Sequence, residues 1–203
     1  LTRALPGDPA AFFAGPAGTQ EAVAEVREKL GLNKSLPEQF LLYLRDLSRG
    51  DLGNALSTGQ PVREELLVRL PASLELVLAS LLFAVVVAVP LGIAAARRPN
   101  SWVDHTCRLV TTAGVSLPTF FTGLLLAYVF YYVLGWAPSP IGRLDPYLTA
   151  PPTVTGLYTV DSLIAGEPRL FLASAKQMIL PVLTLGIFVL APLARMTRAA
   201  MIA

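Results

Sequence analysis

The chain has 203 residues, of which 54% are hydrophobic and 15% charged, against roughly 25% charged residues in a soluble domain. With a mean hydropathy of +0.58, too little polar surface is available to wrap a water-soluble globule, and lipid is the expected solvent for much of the chain. A net charge of +2, with both signs mixed, argues against a nucleic-acid partner, and a single cysteine, Cys107, excludes an intrachain disulfide.

Residues 1–71 carry eight basic and nine acidic side chains and are expected to form an extracytoplasmic segment with short amphipathic helices. Thr19 is placed to cap a helix with Val23, Val26 and Leu30 at helical spacing, and Gly31 suits the position after its end. Ser35-Leu36-Pro37-Glu38 has capping-box spacing and predicts a second helix, with Phe40, Leu44 and Leu47 on one face, ending near Gly50. Such stripes pack against neighbouring helices or a membrane surface. Thr58-Gly59-Gln60-Pro61 reads as a turn, followed by a short amphipathic elbow from Val62 to Leu70 that Pro71 is expected to halt.

Residues 72–203 read as a transmembrane domain with three spans, at about 72–96, 109–134 and 176–197. The first is apolar apart from Glu75; its 25 residues reach about 37 Å as a helix, enough to cross a core of about 30 Å with tilt. Between the first two spans, Asp104-His105-Thr106-Cys107 holds the only histidine but lacks the ligand count of a zinc site, and reads as loop. The second span has no charge, and Tyr128, Tyr131, Tyr132 and Trp136 gather at its end like an interfacial aromatic belt. The third holds Pro181 and Pro192, flanked by Lys176 and Arg195, which can snorkel.

Loop charges orient these spans. The link at 97–108 carries Arg97, Arg98 and Arg108 against Asp104, and Arg195 and Arg198 close the third span. The positive-inside rule therefore puts these regions in the cytoplasm, and residues 1–71 and 135–175 outside. On this topology Cys107 should be open to an impermeant thiol reagent from the cytoplasmic face. The chain starts at Leu1 without a signal sequence and stops straight after an apolar run, so it is expected to be a fragment cut at both ends.

A series of short motifs runs through the chain in order: Leu5-Pro6-Gly7-Asp8-Pro9, Gly50-Asp51-Leu52-Gly53, Arg69-Leu70-Pro71-Ala72-Ser73-Leu74-Glu75-Leu76, Pro90-Leu91-Gly92, Ser116-Leu117-Pro118-Thr119-Phe120-Phe121-Thr122-Gly123-Leu124, Leu134-Gly135-Trp136, Thr155-Gly156, Asp161-Ser162-Leu163, Ile179-Leu180-Pro181 and Ala194-Arg195-Met196-Thr197-Arg198. Taken together the series resembles the first permease subunit of dipeptide, oligopeptide and nickel ABC importers, over essentially the whole chain. Gln177-Met178 departs from the His-Leu that many relatives have there.

The resemblance implies an all-α polytopic helical bundle of the ABC importer permease type in the bacterial inner membrane, with three visible spans. It implies a pore subunit moving small peptides, or a related solute such as nickel or glutathione, into the cytoplasm. The partners it implies are a second homologous permease, two cytoplasmic ATP-binding subunits and an extracytoplasmic solute-binding protein, besides the lipid bilayer. It also implies one further N-terminal helix, two further C-terminal helices and an ATPase-coupling loop after the present end.

The residues themselves show no Gly-Lys pair, hence no phosphate-binding loop, and no catalytic, cofactor-binding or metal-binding set. The alternatives are an ion-coupled secondary transporter, which would need buried charges as a relay, and a membrane anchor subunit. The candidates for a translocation path or hinge are Glu75, Ser116, Pro118, Thr119 and Thr122. Thr112, Ser116, Thr119 and Gly123 recur at helical spacing and should share one face, either polar passage or tight packing stripe. Pro118, read as mid-span, should kink the helix, and Pro118→Ala should straighten it. Glu75 lies one turn inside the outer end, where Arg69 is a ready local partner.

Overall fold

A computed structural model describes residues 10–11, 15, 18–29, 31–55 and 58–202. The Leu5–Pro9 motif and Leu30 lie outside the described residues. Every regular element among those residues is helical, apart from one isolated antiparallel bridge between Asn54 and Pro61. The chain divides into two compact units, Leu1–Arg69 and Leu70–Ala203.

In the first unit, α1 (Gln20–Lys29) starts where the Thr19 hydroxyl accepts the Ala22 N–H at 3.2 Å, and Gly31 follows with φ +64°. Helix α2 (Leu36–Ser48) begins after Ser35, whose N–H donates to the Glu38 carboxylate at 3.1 Å, as the capping-box spacing anticipates. Gln39 is the buried residue of α2; its amide donates to the Leu32 and Lys34 carbonyls. Gly50 (φ +78°) turns the chain out of the helix.

Helix α3 runs unbroken from Val62 to Arg97. Pro71 does not halt it, contrary to the sequence reading. A proline removes a single ladder bond, and in apolar surroundings every remaining backbone group still needs an internal partner, which only continued helix supplies.

Within the second unit, α4 (Trp102–Ser116) is followed by α5 (Thr119–Leu126), which passes into a π-helical stretch, Ala127–Val133. The sequence anticipates a single span kinked at Pro118; instead it divides into two helices that meet at 103°. Leu117 has φ −98°, ψ 135°, and Pro118 has φ −57°, ψ 139°, so two successive residues are extended. The residue before a proline is driven out of the α region by the proline ring, and Pro118 then caps α5. The supposed common face of Thr112, Ser116, Thr119 and Gly123 therefore does not exist, because the helical phase is lost between Ser116 and Thr119.

Asp104 to Cys107 is the first turns of α4 and not a loop. Ser101 caps it, accepting the Asp104 N–H at 3.4 Å. Cys107 is buried in the apolar core with Ala84, Ala88, Ala95, Leu190 and Ala194, and burial pushes its thiol pKa up. It is thus a poor topology reporter. The exposed neighbour His105 serves better: in the full-length protein with Cys107 replaced by alanine, a cysteine at 105 should react with an impermeant maleimide in inside-out vesicles and stay unlabelled in right-side-out ones. The reverse pattern would invert the topology.

After the aromatic end of the π-helical stretch, a loop leads to α6 (Tyr158–Ile164) and then to α7 (Pro168–Ile202), which runs through Pro181 and Pro192. Two helices, α3 and α7, are long and apolar enough to cross a membrane, and the bent α4–α5 pair makes a third if it is one span. Helix α7 is central to the unit, packing against α4, α5 and α6.

Small residues set the spacing between α3 and α7. Ser80, Ala84, Ala88 and Gly92 are buried at every fourth position of α3, one face of a helix. A Cβ on Gly92 would lie 2.7 Å from Thr197 Cβ and 2.8 Å from the Ala194 carbonyl oxygen; one on Gly186 would lie 2.4 Å from the Phe83 ring. In lipid no hydrophobic force drives helices together, so close backbone approach and the dispersion contacts it allows carry the association.

Candidate functional site

Four of the five candidate residues meet at the α4–α5 break. Ser116 ends α4, and its hydroxyl donates to the Thr112 carbonyl at 2.7 Å. Pro118 caps α5, and its carbonyl accepts the Phe121 and Thr122 N–H groups at 3.0 and 3.1 Å, with the Thr122 hydroxyl at 3.5 Å. Ser116 and Pro118 are exposed, while Thr119 and Thr122 are half-buried. Two glycines let this arm lie against α7: Gly114 beside Ile187 and Gly123 beside Thr184, where an added Cβ would find each neighbour at 3.3 Å. The π-helical stretch beyond widens the backbone ring, Leu134 N–H reaching Val129 O at 3.0 Å, and stacks Tyr128 on Tyr132 with centroids 5.6 Å apart. Such stretches recur where a helix has to be re-aimed.

Glu75, the fifth candidate, is engaged elsewhere. Arg69 is not its partner; that side chain faces Glu65 at 3.7 Å. Instead Arg143 donates to the Glu75 carboxylate at 2.8 Å, with the Thr159 N–H at 2.8 Å, its hydroxyl at 2.5 Å and the Tyr158 N–H at 3.3 Å. Arg143 also donates to the Gly156 carbonyl at 2.8 Å and lies 3.8 Å above the Tyr158 ring. A carboxylate in an apolar span is thus neutralised by a guanidinium and by the first N–H groups of α6, a fastening of the 134–157 loop to α3.

Asp161 fastens the same loop on itself. Its carboxylate accepts the Thr155 N–H and hydroxyl, the Gly156 N–H and the Val154 N–H at 2.7–3.2 Å. Gly156 has φ +80°, and a Cβ there would press on the Pro71 ring at 2.9 Å, which accounts for glycine and proline at these two motif positions. Burial raises the Asp161 pKa, but the bonds from Thr155, Gly156 and Val154 outweigh it and leave the carboxyl below its ordinary value. A depressed carboxylate contributes stability above its unfolded pKa and loses it as pH falls through the folded one. Acidification from neutral to below about 4 should therefore accelerate protease nicking of the 146–157 stretch, and Asp161→Asn should nick readily at neutral pH; an Asn variant as resistant as the parent would refute this role.

A third ionic site joins the 97–108 link to α7. Asp104 is fully buried (0% exposed). It receives Arg198 Nε at 2.6 Å and Nη2 at 2.9 Å, Arg108 Nη2 at 2.6 Å and Nε at 3.3 Å, and the Asn100 N–H at 3.0 Å. The Arg108 and Arg198 guanidiniums hold its carboxyl well below the usual carboxylate range. Asn100, at φ +59°, turns the chain so that its N–H meets this carboxylate.

The sequence reading used Arg108 and Arg198 to orient the spans and Asp161 as part of a motif, and gave none of them, nor Arg143, a binding partner. The one signal available was in the 97–108 link, where a lone carboxylate, Asp104, stands among three arginines. Gln177 likewise gains a role, as its amide donates to the Ile141 carbonyl at 3.0 Å and to that of Ser139, tying the loop to α7.

Comparison with known proteins gives two family matches. Residues 88–203 match the binding-protein-dependent transport system inner membrane component, and residues 1–79 match the N-terminal part of the same kind of membrane component. The chain is similar to the probable D,D-dipeptide transport system permease protein DdpB of Escherichia coli K12, 41% identical over 100% of this chain and 59% of the relative. It is 40% identical to the di/tripeptide transport system permease protein DppB of Pseudomonas aeruginosa, over 100% of this chain and 60% of the relative. The dipeptide transport system permease protein DppB of Alkalihalophilus pseudofirmus is 38% identical over 98% of this chain and 59% of its own length. The chain thus spans about three-fifths of the length of these relatives.

Proposed function

Because the chain belongs to the binding-protein-dependent transport system inner membrane components, we propose that it is a pore subunit of an ATP-driven importer carrying small peptides into the cytoplasm. The observation that carries this reading is the extent of the likeness: at 38–41% identity it runs through 98–100% of the chain to relatives whose names specify dipeptides or tripeptides. Related solutes such as glutathione or nickel are the alternatives that uptake measurements separate.

In this reading the working importer contains a second, homologous permease, two cytoplasmic ATP-binding subunits and an extracytoplasmic solute-binding protein, in a bacterial inner membrane. Residues 1–71 and 135–175 face outward to meet the binding protein, and the 97–108 link and the end of α7 face the ATPases. The subunit performs no chemistry of its own. Purified alone it should neither bind nor hydrolyse ATP, since its sequence holds no Gly-Lys pair of a phosphate-binding loop; hydrolysis should arise only with the ATP-binding subunits. Specific nucleotide binding by the isolated chain would contradict this.

The bent arm supports a path along α5. Ser116, Thr119 and Thr122 place hydroxyls beside a backbone break at Leu117 and Pro118, where the helical ladder is interrupted. Alternating access needs such a place. Glu75 contributes by holding the 134–157 loop on α3 rather than by touching cargo, since its carboxylate oxygens already accept four hydrogen bonds. Deleting the gene in its host should abolish uptake of labelled dipeptides, and plasmid-borne full-length protein should restore it. Unchanged dipeptide uptake with loss of another solute would redirect the substrate assignment.

A further inference from the structure

We propose that α2 is an interfacial helix whose apolar face lies in the headgroup region of the lipid bilayer. The face is defined by residue phase. On a helix turning 100° per residue, Tyr43, Leu36, Leu47, Phe40, Leu44 and Leu41 fall on one arc of about 160°. Glu38, Arg45 and Arg49 lie opposite. All six apolar side chains are exposed, Phe40 at 58% and Leu41 at 65%. The side of α2 that meets its own chain is a different one, carrying Gln39, bonded to the Leu32 and Lys34 carbonyls, and Leu42, 3.9 Å from a Cβ placed on Gly31. The arc thus has no cover within the described residues of its unit.

Chain connectivity decides what covers it. The segment between α2 and α3 is closed on itself: Val62 N–H donates to Gly53 O and Ala55 N–H to Gln60 O, each at 2.9 Å, around the Asn54–Pro61 bridge. Residues 54–61 therefore add no reach. Only the steps from Ser48 to Gly53 separate the end of α2 from the start of α3, at most about 18 Å. The fold shortens even that, since Gly50 N–H returns to Leu47 O and Asp51 N–H to Asp46 O.

Helix α3 is the membrane-crossing helix, and its charge-poor stretch begins near Ala72, about 15 Å of helix beyond Val62. Its first turns already present Leu66, Leu67, Val68 and Leu70 to the outside. The short tether thus leaves α2 within reach of the layer where the bilayer passes from hydrocarbon to headgroup. A helix with a wide apolar face, aromatic residues on it and charges on the far side is stabilised in that layer by burying the face about 5–10 Å deep. The arc holds no carboxylate that would oppose this.

The test uses the full-length subunit assembled with its partner subunits in vesicles of phosphatidylethanolamine and phosphatidylglycerol, with Cys107 replaced by alanine. Single cysteines at Phe40, Leu44 or Leu47 on the arc, and at Glu38 or Arg45 opposite, are labelled with a small fluorophore; all five parent side chains are at the surface, and the Glu38 variant gives up only the bond to the Ser35 N–H, which the Arg45 variant keeps as a control. Nitroxide lipids labelled near the top of the acyl chain should quench positions 40, 44 and 47 several-fold more than 38 and 45. Aqueous iodide should do the opposite. Equal iodide quenching around the helix would overturn the proposal. So would an arc open to iodide that closes only when solute-binding protein is added, which would make it a protein-docking face. An arc silent to both quenchers would likewise overturn it, by showing a neighbouring subunit in the place of lipid.

Discussion

Replacing Gly92 with leucine should remove most of the subunit from the membrane. The first carbon of any side chain there would stand 2.7 Å from Thr197 Cβ and 2.8 Å from the Ala194 carbonyl oxygen, well inside van der Waals contact. Neither atom is the tip of a flexible chain, so α3 and α7 would have to part. Overpacking of this kind costs about 1–3 kcal/mol where a core can yield, and more where backbone stands in the way. Separation would also disturb the seam of Ala84, Ala88, Leu190 and Ala194. Membrane abundance of the full-length protein should fall several-fold at least. Gly186→Ala should be milder, because its obstacle is the Phe83 ring, which can rotate aside, and Phe83→Leu should restore part of the loss. Normal abundance of Gly92→Leu would mean that α3 and α7 do not pack as described.

The second large effect is expected at Asp104. Its carboxylate is the common acceptor for Arg108 and Arg198 and is wholly excluded from solvent. Asp104→Ala leaves two guanidiniums facing each other without a counter-charge, and leaves the Asn100 N–H without its carboxylate acceptor. Arg108 and Arg198 are 50% and 25% exposed, so solvent screens their repulsion only in part once the carboxylate between them is gone. Asp104→Asn keeps an acceptor but not the charge and should be intermediate. Full-length protein carrying Asp104→Ala should show a several-fold drop in abundance. Combining it with Arg198→Leu and Arg108→Leu, which removes the stranded cations, should recover part of that loss. No recovery would indicate that like-charge repulsion is not the cause. Acidity does not offer an easy substitute for the mutation: the carboxyl is held low, so its contribution persists through the neutral and mildly acidic range and disappears only when pH falls through that depressed value.

Much of this architecture was readable from the residues. Thr19, Gly31 and Ser35-x-x-Glu38 set the ends of α1 and α2 because capping satisfies local backbone groups and needs no tertiary information. The apolar cores of α3 and α7 follow from composition alone. Prolines were harder. Pro71, Pro90, Pro181 and Pro192 all sit inside continuous helix, whereas Pro118 ends one helix and starts another. The local cost of each is the same, and the difference lies in the packing: glycines at 114 and 123 allow both halves of the broken segment to press on α7. For the same reason Pro118→Ala should not straighten the chain. Leu117 is extended too, and the contacts on both sides of the break hold the 103° turn.

The polar fastenings were legible only as ingredients. Glu75 stood out as a lone charge, yet its partner is Arg143, 68 residues away in sequence, and not Arg69 at one turn and a half. Asp104 and Arg198 are separated by 94 residues. Periodicity carries no information at such distances, so the pairings emerge only once α7 is seen against α3 and α4. The ladder Ser80, Ala84, Ala88, Gly92 is a different case, since four small residues at four-residue spacing are visible in the sequence; Gly123 does pack closely, against Thr184, but not on a face shared with Thr112.

The most direct measurement of the central claim is transport by purified components. Full-length subunit, its partner permease and the two ATP-binding subunits are reconstituted into proteoliposomes, with solute-binding protein on the outside and a labelled dipeptide as cargo. The account predicts accumulation of intact dipeptide that requires ATP inside, the binding protein outside and this subunit in the membrane, and that ceases when the subunit is omitted. Dipeptide accumulation that proceeds without this chain, or that follows an imposed proton or sodium gradient in the absence of ATP, would contradict it.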